Sequence, residues 1–447
     1  MSNSGNMTVG NPFSLILRFS LPLIVGNLLQ QTYNIVDAAI VGKTLGAEAL
    51  GSVGASSSIQ FLVLGFCIGM TLGFAIPIAR EFGAENYIKM RTYIFNSIIL
   101  NIIGAIVITL ICLILCKNIL YMLKTPSTLY DNAYKYLFII FLGIPFNILY
   151  NSTSSILRAI GNSKTPFYFL AFSAILNIGL DFYFILSLKL GVSGAAIATI
   201  LSQGISGLLC LLVILKKYNI LKIKKEEAII NPPIVSNLLS NGLPMGLQFS
   251  ITAIGSMIIQ GANNSLGAIY TSAFAASYRI KQLFMSPFDA IGTGASTFIS
   301  QNIGAKKYDR IKVGLTVGLK IALSYSVISG FILFLLNKTI VLIFVSSEYV
   351  DVISAASLYI RWFAYFLWLL GLLIVTRMSL QGLGFSNRAF VAGALEMLSR
   401  VFSAIFIIPF LHFFGICISD QLAWLVASIY LIIIFKFSIN EVKKQMS

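Results

Sequence analysis

Asp37 and Asp181 are the residues of this 447-residue chain best placed to do chemistry, because each carboxylate sits inside a long apolar run. At the centre of a membrane helix a carboxylate costs roughly 2.5–3.5 kcal/mol on insertion scales, so one found there usually holds a proton, an ion or a partner of opposite charge. No cation in the surrounding runs offers itself as a partner. Amides and hydroxyls recur around the two acids at helical spacing. Asn27, Gln30, Asn34 and Asp37 lie three or four residues apart and share one face, with Tyr33 beside them. Asn177 and Asp181, Thr199 and Gln203, and Asn147 and Asn151 form three further i, i+4 pairs. Two chemistries fit this set. The carboxylates can carry a proton, or they can join Asn and Thr oxygens in a cage for a hard cation such as Na+. The residues leave both open. For the lone amides, hydrogen bonding between helices is the bland alternative.

Other chemistry is excluded by inventory. His412 is the single histidine, and the five cysteines lie in or beside apolar segments without metal or disulfide spacing. No nucleophile–base pair stands out, so an enzyme is not expected, nor is a bound cofactor beyond a coupling ion.

These residues must be positioned by membrane helices. The chain is 57% hydrophobic and 10% charged, against about 25% charged in a soluble domain. Twelve apolar runs between residues 13 and 437 are each long enough to cross a bilayer, and none alternates as a barrel strand does. The net charge of +16 belongs to loops, not to an aromatic-laced basic patch, so nucleic-acid binding is not expected. With an even number of spans both termini share a side. Placing them in the cytoplasm puts 20 Lys and Arg at inward ends, Arg377 among them, and 7 (Lys43, Lys117, Lys124, Lys135, Lys189, Lys338 and Arg361) at outward ends. The positive-inside rule favours that orientation in the cell membrane.

The chain also repeats at about 222 residues. Leu21-Pro22 returns as Leu243-Pro244, Glu81–Tyr87 as Asn302–Tyr308, and Ser155–Ser163 as Ser379–Ser386. The expected fold is therefore an all-α membrane protein of twelve transmembrane helices in two six-helix lobes, related by a pseudo-two-fold axis along the membrane normal. The lobes are expected at 1–215 and 236–447, joined by a basic cytoplasmic linker at 216–235. Neither acid is duplicated: Asp37 corresponds to a position near Ile259, and Asp181 to one near Ala404. The second half instead offers Glu396 and Arg400 as an i, i+4 ion pair. Gln248 and further polar residues line the seventh run, facing a central cavity. Asp289 lies midway along the eighth, with Arg279 and Lys281 upstream.

The Leu21-Pro22 start, Asp37 before Gly42, the turn Arg158–Pro166, Asn177 with Asp181, the stretch Gly191–Thr199 and Gln301–Ala305 together resemble the multidrug and toxic compound extrusion (MATE) family over nearly the whole chain. The resemblance implies two six-helix lobes and efflux of organic, cationic compounds from a monomer, in exchange for H+ or Na+ by alternating access. It implies that Asp37, Asn177, Asp181 and Thr199 form the cation site, that Gln30 and Asn151 face the drug cavity, and that Pro22 acts as a hinge. Tyr33, Asn34, Asn147, Gln203 and Gln248 join the expected cavity lining. Some branches of the family carry an acid in the seventh helix; here there is none. Two rivals remain at this point: a flippase for lipid-linked saccharides, which would need a cationic cavity, and a membrane receptor or channel, which would show no ion-driven accumulation.

Overall fold

The long apolar runs fold as helices because a bilayer leaves backbone N–H and C=O groups no partner but each other. The computed structural model describes residues 5–122 and 125–446; Lys124, counted above among the outward cations, lies outside them. Among the described residues every regular element is a helix. The first half holds α1 (Pro12–Leu45), α2 (Ala47–Gly83), α3 (Tyr87–Met122), α4 (Ser127–Leu142), α5 (Ile144–Ala159), α6 (Lys164–Asp181) and α7 (Val192–Lys217). The second holds α8 (Pro232–Asn264), α9 (Ala268–Gly304), α10 (Tyr308–Val341), α11 (Val350–Tyr365), α12 (Leu367–Gly382), α13 (Ser386–Phe402) and α14 (Ile408–Met446).

Among the described residues eight segments cross a membrane by length and composition alone. Two bent pairs, α4 with α5 (44°) and α11 with α12 (54°), bring the number to ten. The remaining two spans follow from geometry. The segment Ser386–Lys444 is 59 residues long. At about 1.5 Å per residue it would be nearly three times the thickness of the hydrocarbon core if straight. It breaks at His412, whose φ of 48° and ψ of −129° no helix adopts. The other is α9, which has 37 residues and is too rich in polar side chains to pass on hydropathy.

The backbone records the duplication more sharply than the side chains do. Gly46 and Gly267, Glu85 and Lys306, Gly161 and Gly384, and Gly191 and His412 all have positive φ, and the members of each pair stand 221 to 223 residues apart. His412 thus occupies the turn position that Gly191 fills before α7. A second parallel sits in the helices themselves. A π-helical stretch, Phe182–Ser187, begins directly after Asp181, and another, Ser403–Ile407, follows Arg400 in the second half. Such insertions are rare and often mark functional positions.

The chain forms two compact units whose bounds differ from the lobes drawn from sequence. Unit 1 comprises Met1–Asn6 and Val25–Gly246; unit 2 comprises Met7–Ile24 and Leu247–Ser447. The start of α1 therefore packs in unit 2, where Ile16, Phe19 and Leu23 join the core with Phe288, Phe298 and Leu373. The start of α8 packs in unit 1, where Ile234 and Leu238 join Phe74 and Ile78. The two crossing points, after Ile24 and after Gly246, are equivalent in the repeat, and Pro22 and Pro244 each stand two residues before one.

Glycines make these packings close. A Cβ on Gly69 would stand 2.5 Å from the Met245 carbonyl oxygen, and one on Gly73 would stand 2.6 Å from that of Asn241. Gly242 and Gly246 face them, so two small-xxx-small motifs meet where α2 crosses the start of α8. In unit 2, a Cβ on Gly294 would stand 2.5 Å from Ser20 Oγ. The N-terminal segment is tied to the same unit. Met7 N donates to Gln301 Oε1 (2.8 Å), Lys307 Nζ to the Thr8 carbonyl (2.9 Å) and Arg310 Nη1 to that of Gly10 (3.0 Å).

The interhelical stretch 218–231 lies on α3. Arg91 Nε and Nη2 donate to Glu227 at 2.7 and 2.6 Å, and Asn96 pairs with the backbone of Ile229 and Asn231. Hydrogen bonding to Arg91 holds the Glu227 carboxyl below the usual carboxylate range.

Candidate functional site

In unit 1 the two acids come together. Asp37 lies on α1 and Asp181 is the last residue of α6; their carboxyl groups are within side-chain hydrogen-bond reach of one another. Asp181 and Asn177 are buried, at 0% and 1% exposure. Both Asp181 oxygens and Asp37 Oδ1 meet no protein hydrogen-bond donor, and neither amide atom of Asn177 has a hydrogen-bond partner. Two ionised carboxylates offer acceptors only, so the contact between them needs something positive: a shared proton or a cation. Among the described residues neither acid has a Lys or Arg ion-pair partner.

A chain of polar side chains leads to the pair. Asn151 Nδ2 donates to Asn147 Oδ1 (3.1 Å), and Asn147 Nδ2 donates to Gln203 Oε1 (3.2 Å). The Tyr33 hydroxyl reaches the side chains of Gln203 and Gln30 and lies within Coulombic range of both acids. The structure therefore connects Gln30, Tyr33, Asp37, Asn147, Asn151, Asp181 and Gln203, drawn from α1, α5, α6 and α7. Asn34 stands exposed on α1. The Thr199 hydroxyl donates to Ala195 O in its own helix (3.0 Å), which leaves only its lone pairs for a cation. Two carboxylates with amide and hydroxyl oxygens are a donor set that suits Na+ as well as a proton. No cluster of three His, Cys, Asp or Glu occurs among the described residues.

Sequence reading passed over two members of this set. Tyr136 of α4, 4% exposed, lies within Coulombic range of Asp37, Asp181 and Tyr33, and its hydroxyl reaches Gln60 of α2. Gln60 carried a signal, since an amide in the apolar run Ile59–Leu64 has the same excuse for being there as Gln30. Tyr136 carried none, because tyrosines also fill ordinary cores.

Gln248 and Pro22 belong to unit 2. Gln248 is buried at 4% exposure, accepts from Gln381 Nε2 at 2.6 Å, and leaves room only for Gly393 against its Cγ. Glu396 stands 3.6 Å from Arg400, within a larger network. Arg377 Nη1 donates to Glu396 (2.7 Å), Arg400 Nε donates to Asp420 (2.9 Å), and Lys281 binds the other oxygen of Asp420. Lys281 thus faces Asp420 on α14, not Asp289 on its own helix. Arg377, counted from sequence among the inward loop ends, is 9% exposed in the protein interior. Its position in the last turns of α12 hid this, because burial there is set by α13 and not by local composition.

Comparison with known proteins follows the same lines. A family model described as MatE matches the chain twice, over residues 22–183 and 244–406, once in each half of the repeat. A probable multidrug resistance protein, YpnP of Bacillus subtilis (strain 168), is 32% identical over 81% of this chain and 80% of its own length. A second from the same organism, the probable multidrug resistance protein YoeA, is 29% identical over 67% of this chain and 66% of its own. Among solved structures, a MATE crystallised in complex with MaL6 superposes with a TM-score of 0.93 at 22% identity, covering 99% of this chain and 100% of that one.

Proposed function

This chain belongs to the MatE family of multidrug efflux transporters, and on that footing we propose that it is a secondary-active antiporter in which H+ or Na+, taken up at Asp37 and Asp181, drives export of organic, mainly cationic compounds by alternating access. Coarsely stated, it is a multi-pass membrane transporter and not an enzyme. The finer reading rests on one observation: two carboxylates within reach of each other, Asp181 fully buried and Asp37 half-buried, without a fixed cation, at the end of a chain of amides and phenols.

Such a pair is a charge receptor. Close like charges in a low-dielectric site do not both ionise unless a positive species joins them. A proton shared between Oδ atoms of the two residues meets that need. So does Na+ held by Asp37, Asp181, the Asn177 carbonyl oxygen and the Thr199 hydroxyl oxygen. An organic cation near Tyr33 and Gln203 would be attracted by the same negative charge, so ion and solute bind in opposition. Exchange then follows if the ion binds the outward- and inward-open states with different affinity. Exchange of one H+ for one monovalent cation is electroneutral; any excess of moved charge gains about 2.3 kcal/mol per 100 mV. We place the protein in the cell membrane as a monomer with both termini in the cytoplasm.

The test is efflux of a fluorescent cationic dye from proteoliposomes with Na+ and H+ gradients imposed separately. Dye movement against its own gradient under one of them supports antiport and names the ion. Passive equilibration under both would sink it.

A further inference from the structure

Unit 2 buries a set of charges that the coupling reading does not use. Lys281, Arg377, Glu396, Arg400 and Asp420 are each 2–9% exposed and joined by ion pairs, so three cations share two carboxylates. Lys281 is fully occupied. It binds Asp420, which also accepts from the Tyr359 hydroxyl at 3.3 Å, and its ammonium lies 5.7 and 5.8 Å from the ring centres of Trp424 and Tyr278. The two guanidinium groups on either side of Glu396 are not. Arg377 Nε and Arg400 Nη1 meet no acceptor among the described residues. Asp289 is the remaining acid nearby. It lies within Coulombic range of Arg377 but forms no ion pair with it.

A buried charged donor without an acceptor carries its full desolvation cost. Water could accept both N–H bonds but would leave the extra positive charge. An ionised Asp289 would balance the charge but leave the N–H groups unmet. A small anion does both. The unmet nitrogens, Arg377 Nε and Arg400 Nη1, belong to two guanidinium groups that both pair with Glu396, and the other two nitrogens of Arg400 already face Glu396 and Asp420, so Arg400 has no free two-nitrogen fork for a carboxylate. Gly255 of α8 packs directly against this arginine, since a Cβ there would stand 3.1 Å from both Cδ and Nη1 of Arg400. We propose that Arg377 and Arg400 form a binding site for a small monovalent anion of the chloride class, in competition with the charge of Asp289. This site stands apart from the antiport reading and is tested without transport.

The experiment is thermal unfolding of the purified full chain in detergent, in sodium chloride against sodium gluconate at equal ionic strength. Chloride and bromide are expected to raise the melting temperature by on the order of a few degrees, in a saturable way. Gly255→Ala, which crowds Arg400 Nη1, should cut that increment by about half or more, with its own melt in gluconate showing that it folds. Asp289→Asn, which removes the competing charge, should enlarge it. Chloride NMR line broadening on addition of protein gives a second reading that does not depend on unfolding. Equal melting in the two salts without line broadening overturns the site. So does an increment that neither variant changes, which would mark a general salt effect.

Discussion

Asp37 of α1 and Asp181 of α6 meet carboxyl to carboxyl, with no Lys or Arg of the described chain paired to either. Unit 2 does the reverse at Glu396 and Asp420, tying each to cations. One half is left waiting for positive charge, and the other is largely self-compensated.

Replacing Asp181 with Asn should lower ion-driven dye efflux by at least about tenfold, the effect of losing roughly 1.4 kcal/mol of ion binding. Asn keeps the shape and removes the charge, so insertion and folding are expected to survive. Unaltered gradient-coupled efflux by D181N, in vesicles carrying equal amounts of protein, would remove this residue from the coupling site.

Gly69→Ala or Gly73→Ala should destabilise unit 1, because each new methyl meets backbone carbonyl oxygens of α8 at 2.5–2.6 Å. Forcing apart a packed contact typically costs about 1–3 kcal/mol. Gly54→Ala in the same helix is the control, as nothing lies within 4 Å of its Cβ position; by helix propensity it should be neutral or slightly stabilising. Melting temperatures of the three variants should separate accordingly, and a single common value would refute the close-packing argument.

The Arg91–Glu227 clamp gives the interhelical stretch an acid-sensitive anchor. Since Arg91 holds the folded-state Glu227 below its ordinary value of about 4.3, the stabilisation is fully present above that value and is lost as pH falls through the lower folded one. Glu227→Gln should remove this acid-labile part, so the difference in melting temperature between wild type and E227Q should shrink between neutral pH and pH 3. A constant difference over that range would count against it.

His412 pays in backbone strain for a position that its repeat partner fills with glycine. Its φ of 48° and ψ of −129° belong to a region nearly reserved for glycine, where other residues lose about 1–3 kcal/mol. His412→Gly should raise the melting temperature by an amount equivalent to about 1 kcal/mol. A lower one would mean that the imidazole makes a contact worth more than the strain.

Most of the fold could be read from apolar runs, because crossing a bilayer demands length and composition that few other structures need. Gln30, Tyr33, Asp37, Asn147, Asn151, Asp181 and Gln203, grouped in the sequence by helical spacing, lie together in unit 1. What escaped notice depends on packing between distant segments. Asp420 lies near the start of the last apolar run, so in the sequence it looks like a helix-end residue; only Lys281 of α9 and Arg400 of α13 make it the hub of a network. Gln248 looked like a cavity residue because its neighbours are polar, and α12 supplied Gln381 as its partner. The exchange of the first segments of α1 and α8 has no local signature at all. Its one trace is the pair of glycine motifs, Gly69-Gly73 and Gly242-Gly246, which gain meaning only once they face each other.

That exchange makes the duplicated halves poor candidates for independent life. Cut in the stretch 218–231, the chain would yield an N-terminal fragment whose Ile16 and Phe19 had lost their hydrophobic neighbours, and a C-terminal fragment whose Leu238 had lost its own. Each piece would be soluble in the bilayer yet unfinished, and co-expression should rescue what neither achieves alone. The molecule behaves, in this respect, like a covalently joined domain-swapped dimer.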